Sequence, residues 1–380
     1  MKNSFKLIFS IAIAFLTVFP GKGQNNFEPG ATWPASDGKH INVHGGGILF
    51  YHGRYYWFGE HRLPKNTEKV QTDGVGCYSS KDLYHWKYEG VSLMIPNDTT
   101  SLLTPGCVVE RPKVIYNKKT GKFVMWFHHE LKGQGYKAAM TGVAVSNKIT
   151  GPYRYIHSLR PNAGQWPLNY SKEQQSDTLT ERSLKKWSPE WKEAVKNGLF
   201  LRRDFEGGQM ARDMTLFVDD NGKAYHIHSS EENQTLHFSE LTDDYLGFSG
   251  LYIRVLPGDA NEAPAIFKKE GKYYMFSSGT TGWAPNPGRS AMSSDILGNW
   301  VPLGNPCRGN EKNVKTTFAS QSTHVLQING TENFIYMGDR WKPEELIDSR
   351  HIWLPVEWED GLPVIKWYDK WNLSIFSYEK

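Results

Sequence analysis

Polar and apolar positions along the chain alternate in a unit that recurs five times. Each unit begins with a polar residue, continues as a short apolar strand, turns at a glycine and returns as a strand rich in Tyr, Phe or Trp. The first residues of the five units are His44, Glu110, Asp213, Glu262 and Gln321, and their turn glycines are Gly53, Gly121, Gly222, Gly271 and Gly330. Because tight hairpin loops need a positive φ, glycine at this position indicates a β-hairpin in every unit.

Further strand patterns follow several of the hairpins, at residues 74–80, 141–147 and 289–295. Each unit is therefore a β-meander of about 50 to 65 residues, which is the size of a four-stranded propeller blade. We predict an all-β fold, a single five-bladed β-propeller, whose closed ring leaves no long sheet edge exposed. A two-sheet sandwich, the alternative, does not account for a polar position that repeats once per unit.

Residues 162–208 interrupt this period between the second and third units. The middle of the segment has a helical pattern, with Pro189 near the start of a helix and Gly198 near its end. We predict an inserted, partly helical segment. It either overhangs the mouth of a central pocket or decorates the surface.

The first 23 residues have the pattern of an export signal. Lys2 and Lys6 precede an apolar run over residues 7–19, and small residues follow it. The run is too short to span a bilayer, and no later stretch approaches the roughly 20 apolar residues that a transmembrane helix needs. We predict a signal peptide over residues 1–23, a propeller domain over 24–380, no membrane span, a periplasmic or extracellular location and a monomer.

Composition narrows the class of partner. The formal net charge is only +4, and basic residues are scattered among acidic ones, so a nucleic-acid partner is not expected. The three cysteines allow at most one disulfide. Aromatic residues make up 14% of the chain, with 14 Trp, which suits either a β-rich core or a surface that stacks on sugars. An uncharged partner such as an oligo- or polysaccharide fits best.

The polar residues that begin the units are the candidates for catalysis. In a propeller the inner strand of every blade faces the central axis, so we expect all five side chains to meet at one end of the channel. Glycoside hydrolysis usually needs a protonated carboxyl and a second group that activates water or attacks. Glu110, Asp213 and Glu262 supply three carboxyls, and crowding raises the pKa of at least one. The alternative is that these residues only hydrogen-bond to neighbouring blades.

Other candidates are expected to bind the sugar. Trp283 and Trp341 follow the fourth and fifth hairpins, where they would stack on a ring unless they are buried between blades. The remaining predicted substrate-binding residues are His44, Glu60, Glu231 and Arg340. No H-E-x-x-H or G-x-S-x-G pattern is present, and we predict neither a metal ion nor a cofactor.

The units resemble glycoside hydrolase family 43, and most closely its exo-β-1,3-galactanase branch. Among the matching stretches are HGGGILFYHGRYYWFGE, ERPKVIYNKKTGKFVMW, EAPAIFKKEGKYYMFSSGTTGW and MGDRW. The resemblance implies a five-bladed propeller and hydrolysis with inversion, with Glu262 as general acid and Asp213 tuning its pKa. The family's usual base, an Asp on the first blade, is replaced here by His44 in a glycine run, and the branch shares this departure.

The resemblance leaves two candidates for the catalytic base. Glu110 is a carboxylate, whereas Gln321 would accept a proton only as an imidic-acid tautomer and would otherwise orient water. The activity implied is exo-acting release of galactose from β-1,3-galactan, the backbone of type II arabinogalactans. The alternatives are an α-L-arabinofuranosidase, β-xylosidase or galactofuranosidase on the same scaffold, and a catalytically inactive sugar-binding propeller.

Overall fold

A computed structural model describes residues 25–64 and 72–378. Their strands form five sheets, four of them wholly antiparallel and the fifth with one parallel pair, and each is built from one continuous stretch of chain. The inner strands of successive sheets touch in chain order, and the last touches the first, so the ring closes. The prediction of an all-β, five-bladed propeller is confirmed. The predicted signal peptide lies outside the described residues and stays a prediction.

Each of the first four blades has four strands, ordered from the channel outward in chain order. The strands of blades one and two are β1 (His44–Tyr51), β2 (Arg54–Arg62), β3 (Thr72–Ser80), β4 (Lys87–Met94), β5 (Val108–Asn117), β6 (Lys122–Glu130), β7 (Met140–Ser146) and β8 (Arg154–Leu159). Those of blades three and four are β9 (Met214–Val218), β10 (Ala224–Ser230), β11 (Thr235–Leu241), β12 (Phe248–Val255), β13 (Glu262–Lys269), β14 (Lys272–Ser278), β15 (Arg289–Ser293) and β16 (Val301–Gly304).

The fifth blade has an additional outer strand, which runs parallel to its neighbour. Its strands are β17 (Cys307–Arg308), β18 (Gln321–Gln327), β19 (Phe334–Arg340), β20 (Arg350–Glu359) and β21 (Leu362–Lys366). The α-helices are α1 (Lys172–Ser176), α2 (Pro189–Lys196), α3 (Leu199–Arg203) and α4 (Glu311–Thr316). Short 3-10 helices are Gly135–Lys137, Glu181–Ser183, Thr317–Ala319, Leu346–Asp348 and Leu373–Tyr378.

The five predicted hairpins are present with their turns at the predicted glycines. All five have positive φ, between 68° and 80°, and a Cβ added there would meet no atom within 4 Å. The requirement for glycine is therefore conformational rather than steric. Because the turns set the strand register, each hairpin starts its inner strand within two residues of the polar residue that begins the unit.

Aromatic side chains close the ring between the first and last blades. Trp353 on β20 is 1% exposed and packs against Trp57 on β2, with ring centroids 4.8 Å apart. Phe27 and Trp33, from the segment before the first blade, fill the same cluster, and the backbone of Phe27 pairs with that of Trp371. The two ends of the described chain thus hold the first and fifth blades together.

The closing cluster gives a stability prediction. Trp353→Ala should lower the free energy of unfolding by about 3–5 kcal/mol, because the cavity left by a buried Trp cannot collapse fully. Trp187→Ala is the matched control, since that ring is 59% exposed and should cost about 0.5 kcal/mol or less. Urea denaturation of both variants measures the difference, and equal losses would show that the cluster does not hold the ring closed.

The segment 162–208 carries the predicted helices. α2 begins with Pro189 in its first turn, capped by the Ser188 side chain, and Gly198 follows the helix with φ of 82°. The segment packs on β12, the outer strand of the third blade, where the amide of Leu168 donates to the carbonyl of Tyr252 at 2.8 Å. It therefore covers one sheet edge.

Two further features bear on the class of protein. The three cysteines, Cys77, Cys107 and Cys307, are buried and free, so the core is held without a disulfide. None of the helices in the described part of the chain combines the length and the apolar character that a membrane crossing requires.

Candidate active site

A cavity of about 220 Å³ opens where the inner strands begin. Seven residues predicted from the sequence line it: Glu60, Glu110, Asp213, Glu262, Trp283, Gln321 and Trp341. The convergence of the inner strands brings together four of the five polar residues that begin the units. Their positions agree with the prediction, while the role of each stays a prediction.

Glu262 is the first residue of β13. Its Oε1 accepts a hydrogen bond of 2.7 Å from Nδ2 of Asn233. Burial, and then the charge of Asp213, raises the pKa of Glu262 to about 7, although Arg111, Arg212 and the Asn233 bond pull it the other way. A carboxyl with this pKa is protonated at the lower end of the neutral range, which suits a proton donor.

Asp213 lies beside Glu262 and is held as an acceptor. Its Oδ2 accepts from Nη2 of Arg111 at 2.9 Å and from the amide of Ala263 at 3.1 Å. Ala263 directly follows Glu262, so the second bond ties Asp213 to the strand that carries Glu262. Both partners donate to this oxygen, and the charge of Asp213 raises the pKa of Glu262.

Arg111 hydrogen-bonds to several groups of the site. Its Nη2 donates to Oδ2 of Asp213 and, at 2.6 Å, to Oε1 of Gln321. Its Nη1 donates to the carbonyl of Ser322 at 3.2 Å. Its guanidinium lies 5.5 Å from the ring centre of Trp341. A single buried cation from the second blade thus fixes groups of the third and fifth blades.

Gln321 is held in one orientation by its partners. Its Oε1 accepts from Arg111 and, at 3.0 Å, from Nε1 of Trp341, while its Nε2 donates to Oγ of Ser278 at 3.0 Å. Guanidinium and indole groups only donate, so the atom that faces them is the amide oxygen. An imidic-acid tautomer would carry its proton on that oxygen, against two N–H groups.

Glu110 and Glu60 line the cavity on the side of the first two blades. Arg62 contacts both: its Nη2 lies 3.5 Å from Oε1 of Glu110 and makes a short hydrogen bond to Glu60. Glu60 also accepts from the amide of Arg111 at 3.0 Å, and its side chain is 1% exposed. Glu110 is the more open of the two, with 16% of its side chain exposed, and is better placed to reach water.

The inner strands of three blades begin with the same irregularity. The residue after the first polar residue has positive φ, and the strand register shifts just beyond it. This bulge turns the backbone N–H toward a carboxylate of the preceding blade. The donor–acceptor pairs are Gly45–Asp339 (2.7 Å), Arg111–Glu60 (3.0 Å) and Ala263–Asp213 (3.1 Å). The carboxylates are therefore positioned by the packing of blade against blade.

The prediction that His44 binds substrate is wrong, because its side chain is fully buried outside the cavity. Its Nδ1 lies 3.3 Å from Asp339, and its ring stacks on His351 at 4.9 Å. Burial lowers the pKa of His44 to about 4, so the ring is neutral. The glycines after it are closely packed: a Cβ at Gly45 would collide with the Glu60 carboxylate, and one at Gly46 with the carbonyl of Phe58.

His44, Asp339 and His351 are also the one group in the described residues that has the make-up of a metal site, with ligand atoms within 4.8 Å of one another. Most of those atoms already have partners: Nδ1 of both histidines faces Oδ1 of Asp339, the amide of Gly45 faces Oδ2, and Nε2 of His351 faces the carbonyl of Ile41. Nε2 of His44 is buried without a hydrogen-bond partner among the described residues. The group is a hydrogen-bonded anchor between the first and fifth blades. That the protein binds no metal stays a prediction.

Glu231 and Arg340 likewise do not line the cavity, which corrects their prediction as sugar ligands. Glu231 is fully buried; burial alone would raise its pKa, but Arg254 and His237 lower it to about 2. Arg340 points to the opposite side of its strand from Trp341, because side chains alternate along a strand, and it donates to the carbonyls of Ala319 and Phe318.

Seven lining residues were not predicted: Arg62, Arg111, His128, Tyr136, Arg212, Asn233 and Gly282. One feature of the hairpins could have identified some of these residues from the sequence. Glu60 and His128 pair across the hairpin with His44 and Glu110, so the end of the second strand reaches the same cavity as the start of the first. Arg111 and Arg212 are next in sequence to Glu110 and Asp213. Because side chains alternate along a strand, the pattern alone would place both arginines on the side away from the cavity.

The two tryptophans form one wall. Trp283 is 47% exposed and meets Trp341 edge to face, with ring centres 5.6 Å apart. Trp341 is fixed by Gln321 and Arg111, whereas Trp283 sits on the loop after β14 with its face free for a ligand. An exposed indole beside a polar cavity suits stacking on a sugar ring.

Comparisons with known proteins agree with this geometry. The model of glycosyl hydrolases family 43 matches residues 161–363. A family 43 β-1,3-galactosidase solved with galactodeoxynojirimycin is 53% identical, with a TM-score of 0.88, over 91% of this chain and 100% of its own. No curated protein matches the chain.

Two other solved structures are similar over most of the chain. A second family 43 β-1,3-galactosidase is 39% identical, with a TM-score of 0.76, over 93% of this chain and 65% of its own. An exo-β-1,3-galactanase from Phanerochaete chrysosporium, solved with β-1,3-galactotriose, is 31% identical, with a TM-score of 0.73, over 93% of this chain and 69% of its own.

Proposed function

This chain belongs to glycosyl hydrolases family 43 and is a glycoside hydrolase, and from that premise we propose that it releases galactose from β-1,3-galactan in an exo-acting reaction. The observation that carries the proposal is the pair of Glu262 and Asp213 in a cavity of about 220 Å³. This volume is below the roughly 300–1,000 Å³ of sites for drug-sized ligands and suits one sugar ring rather than a stretch of polymer. The names of the similar structures support galactose and the β-1,3 linkage.

In the proposed reaction Glu262 donates its proton to the glycosidic oxygen as the bond to the anomeric carbon breaks. Asp213 keeps the pKa of Glu262 high by its charge. Water attacks from the opposite face and inverts the anomeric carbon. The bonds around Gln321 favour its amide form, so we propose that Glu110 takes the proton from this water and that Gln321 orients it. After the product leaves, Glu262 takes up a proton from solvent and the base releases the proton it took from water to solvent.

Product analysis tests the proposal directly. The purified protein is incubated with debranched β-1,3-galactan and, separately, with aryl arabinofuranoside and aryl xyloside. Free galactose from the galactan alone is expected. Release from the pentosides instead would move the function to an arabinofuranosidase or xylosidase, and binding of galactan without any release would indicate a sugar-binding propeller.

Export and a monomeric state belong to the same proposal. The residues that support export, the charged and apolar leader over 1–23, agree with a polysaccharide substrate that is met outside the cytoplasm. Detection of the protein in periplasmic or culture fractions, with Gln24 near its new N-terminus, would support this location. Retention of the intact leader in the cytoplasm would contradict it.

The pKa of Glu262 predicts the pH dependence. Because the acid must be protonated and its pKa is raised to about 7, kcat/KM on galactan should fall about tenfold per pH unit above this value. A dinitrophenyl β-galactoside serves as the control, since its leaving group departs without a proton and should not show this fall. A galactan profile that stays flat above pH 7 would contradict the assignment.

A further inference from the structure

The inserted segment is joined to the third blade through one buried side chain. Arg254 on β12 donates from Nε and Nη2 to the two oxygens of Glu231 at 2.7 and 2.8 Å. From the other side of the same guanidinium, Nη1 and Nη2 donate to the carbonyls of Lys196 and Val195 at 2.8 and 3.1 Å. These carbonyls lie in the last turn of α2, where a helix leaves carbonyls without their usual partners; that of Val195 also accepts from the amide of Gly198 at 3.0 Å. Arg254 thus connects the insertion to Glu231.

Glu231 begins a turn in an unusual backbone conformation. Glu231, Glu232 and Asn233 have φ of 51°, 57° and 61°, so three successive residues other than glycine are left-handed. Such residues persist only when the surrounding structure holds them in place. Here the first is held by Arg254 and by His237 at 2.8 Å, and the second by Arg203 of α3 at 2.9 Å.

The third residue of the turn reaches the cavity. Nδ2 of Asn233 donates to Oε1 of Glu262 at 2.7 Å. An N–H group that faces Oε1 leaves no room for a proton there, so the acidic proton of Glu262 resides on Oε2. The turn therefore decides which oxygen of the carboxyl carries the proton and where that oxygen points.

We propose that the insertion is a positioning device for the general acid, acting through Arg254 and Glu231 on the turn 231–233. The inference rests on the proposed role of Glu262. The sequence left two alternatives for the insertion, an overhang at the mouth and a surface decoration. The structure does not support the overhang, because none of the residues that line the cavity in the described chain belongs to 162–208. Arg254 and Glu231 touch no reacting atom in this scheme and are positioning residues.

The test removes both charges of the connection. Loss of one partner of a buried ion pair is strongly destabilising, so the variant is the double one, Arg254→Met with Glu231→Gln. We expect kcat on β-1,3-galactan to fall about 10- to 100-fold, as for a catalytic group displaced by about 1 Å, with KM little changed. The alkaline limb of the pH profile should move to higher pH, because the Asn233 bond favours the ionised form of Glu262. Activity on dinitrophenyl β-galactoside should fall much less.

Matched variants separate positioning from stability. Lys268→Met with Asp219→Asn removes an ion pair of 2.6 Å at the far end of the inner strands β9 and β13. It should leave kcat, KM and the pH profile unchanged. Asn233→Ala should reproduce the pH shift of the double variant, since it removes the last link alone. Unfolding midpoints are measured for all three.

Two results would overturn the inference. One is a folded double variant with the kcat and pH profile of the parent protein. The other is an equal loss on both substrates with no pH shift, which would show a structural role only. If Glu262→Gln itself kept full activity, the proposed role of Glu262 would fail instead, and if the parent protein released no galactose, the proposed function would fail. Both failures are distinguishable from that of the inference.

Discussion

Replacing Glu262 by glutamine should lower kcat on β-1,3-galactan by about 10³-fold or more. General acids contribute roughly 10²- to 10⁴-fold to the rate. The leaving group of this substrate is the 3-hydroxyl of the next galactose unit, which departs poorly without a proton. Glutamine has nearly the same shape, and its oxygen still accepts the hydrogen bond from Asn233, so the fold and the affinity for galactan should be retained. Initial rates of galactose release and binding isotherms on the same preparation measure both.

The substrate with an activated leaving group is the internal control. Dinitrophenyl β-galactoside needs no proton donor, so Glu262→Gln should hydrolyse it nearly as well as the parent protein. A variant that kept more than about a tenth of its galactan activity would place the acid elsewhere. A variant that lost both substrates equally would point to a damaged cavity rather than to lost proton transfer.

The second large effect concerns the base. Glu110→Ala and Gln321→Ala should each lower kcat on galactan by about 10²-fold or more, for different reasons: the first removes the proton acceptor, and the second removes the group that aligns water with Arg111 and Trp341. Azide is a nucleophile that needs no base. With dinitrophenyl β-galactoside we expect azide to restore turnover of Glu110→Ala and to give a galactosyl azide of inverted configuration.

The other outcomes of this experiment are equally informative. Restoration of Gln321→Ala alone would assign the base to the amide and overturn the argument from its hydrogen bonds. An azide product of retained configuration would contradict inversion. Glu240→Ala is the control, because Glu240 is a largely buried carboxylate of β11 paired with Lys223 away from the cavity, and azide should not affect its rate.

The repeat allowed the fold and half of the site to be predicted. A fixed spacing between a polar residue and a turn glycine sets the hairpin register, and register fixes which residues begin the inner strands. Glu110, Asp213, Glu262 and Gln321 met for that reason alone. Their convergence needed no knowledge of any long-range contact.

The remaining site residues depend on contacts that a one-dimensional pattern does not contain. His44 has the same register as the four that converge, but Asp339 and His351 hold its ring at the interface with the fifth blade. Glu231 follows the third hairpin as Glu60 follows the first, yet Arg254 holds it in the interior. In both cases a hydrogen-bonding partner that is distant in the sequence, rather than the position in the repeat, decides where the side chain lies.

The glycine run after His44 also limits how the active site can evolve. A side chain at Gly45 would occupy the place of the Glu60 carboxylate, and Glu60 is itself bound to Arg62 and to the amide of Arg111. A carboxylate can therefore be placed at Gly45 only if Glu60 and its partners change as well. Since a single substitution at Gly45 would displace Glu60, directed evolution of a new carboxylate at this position should begin at Glu60 rather than at the glycine.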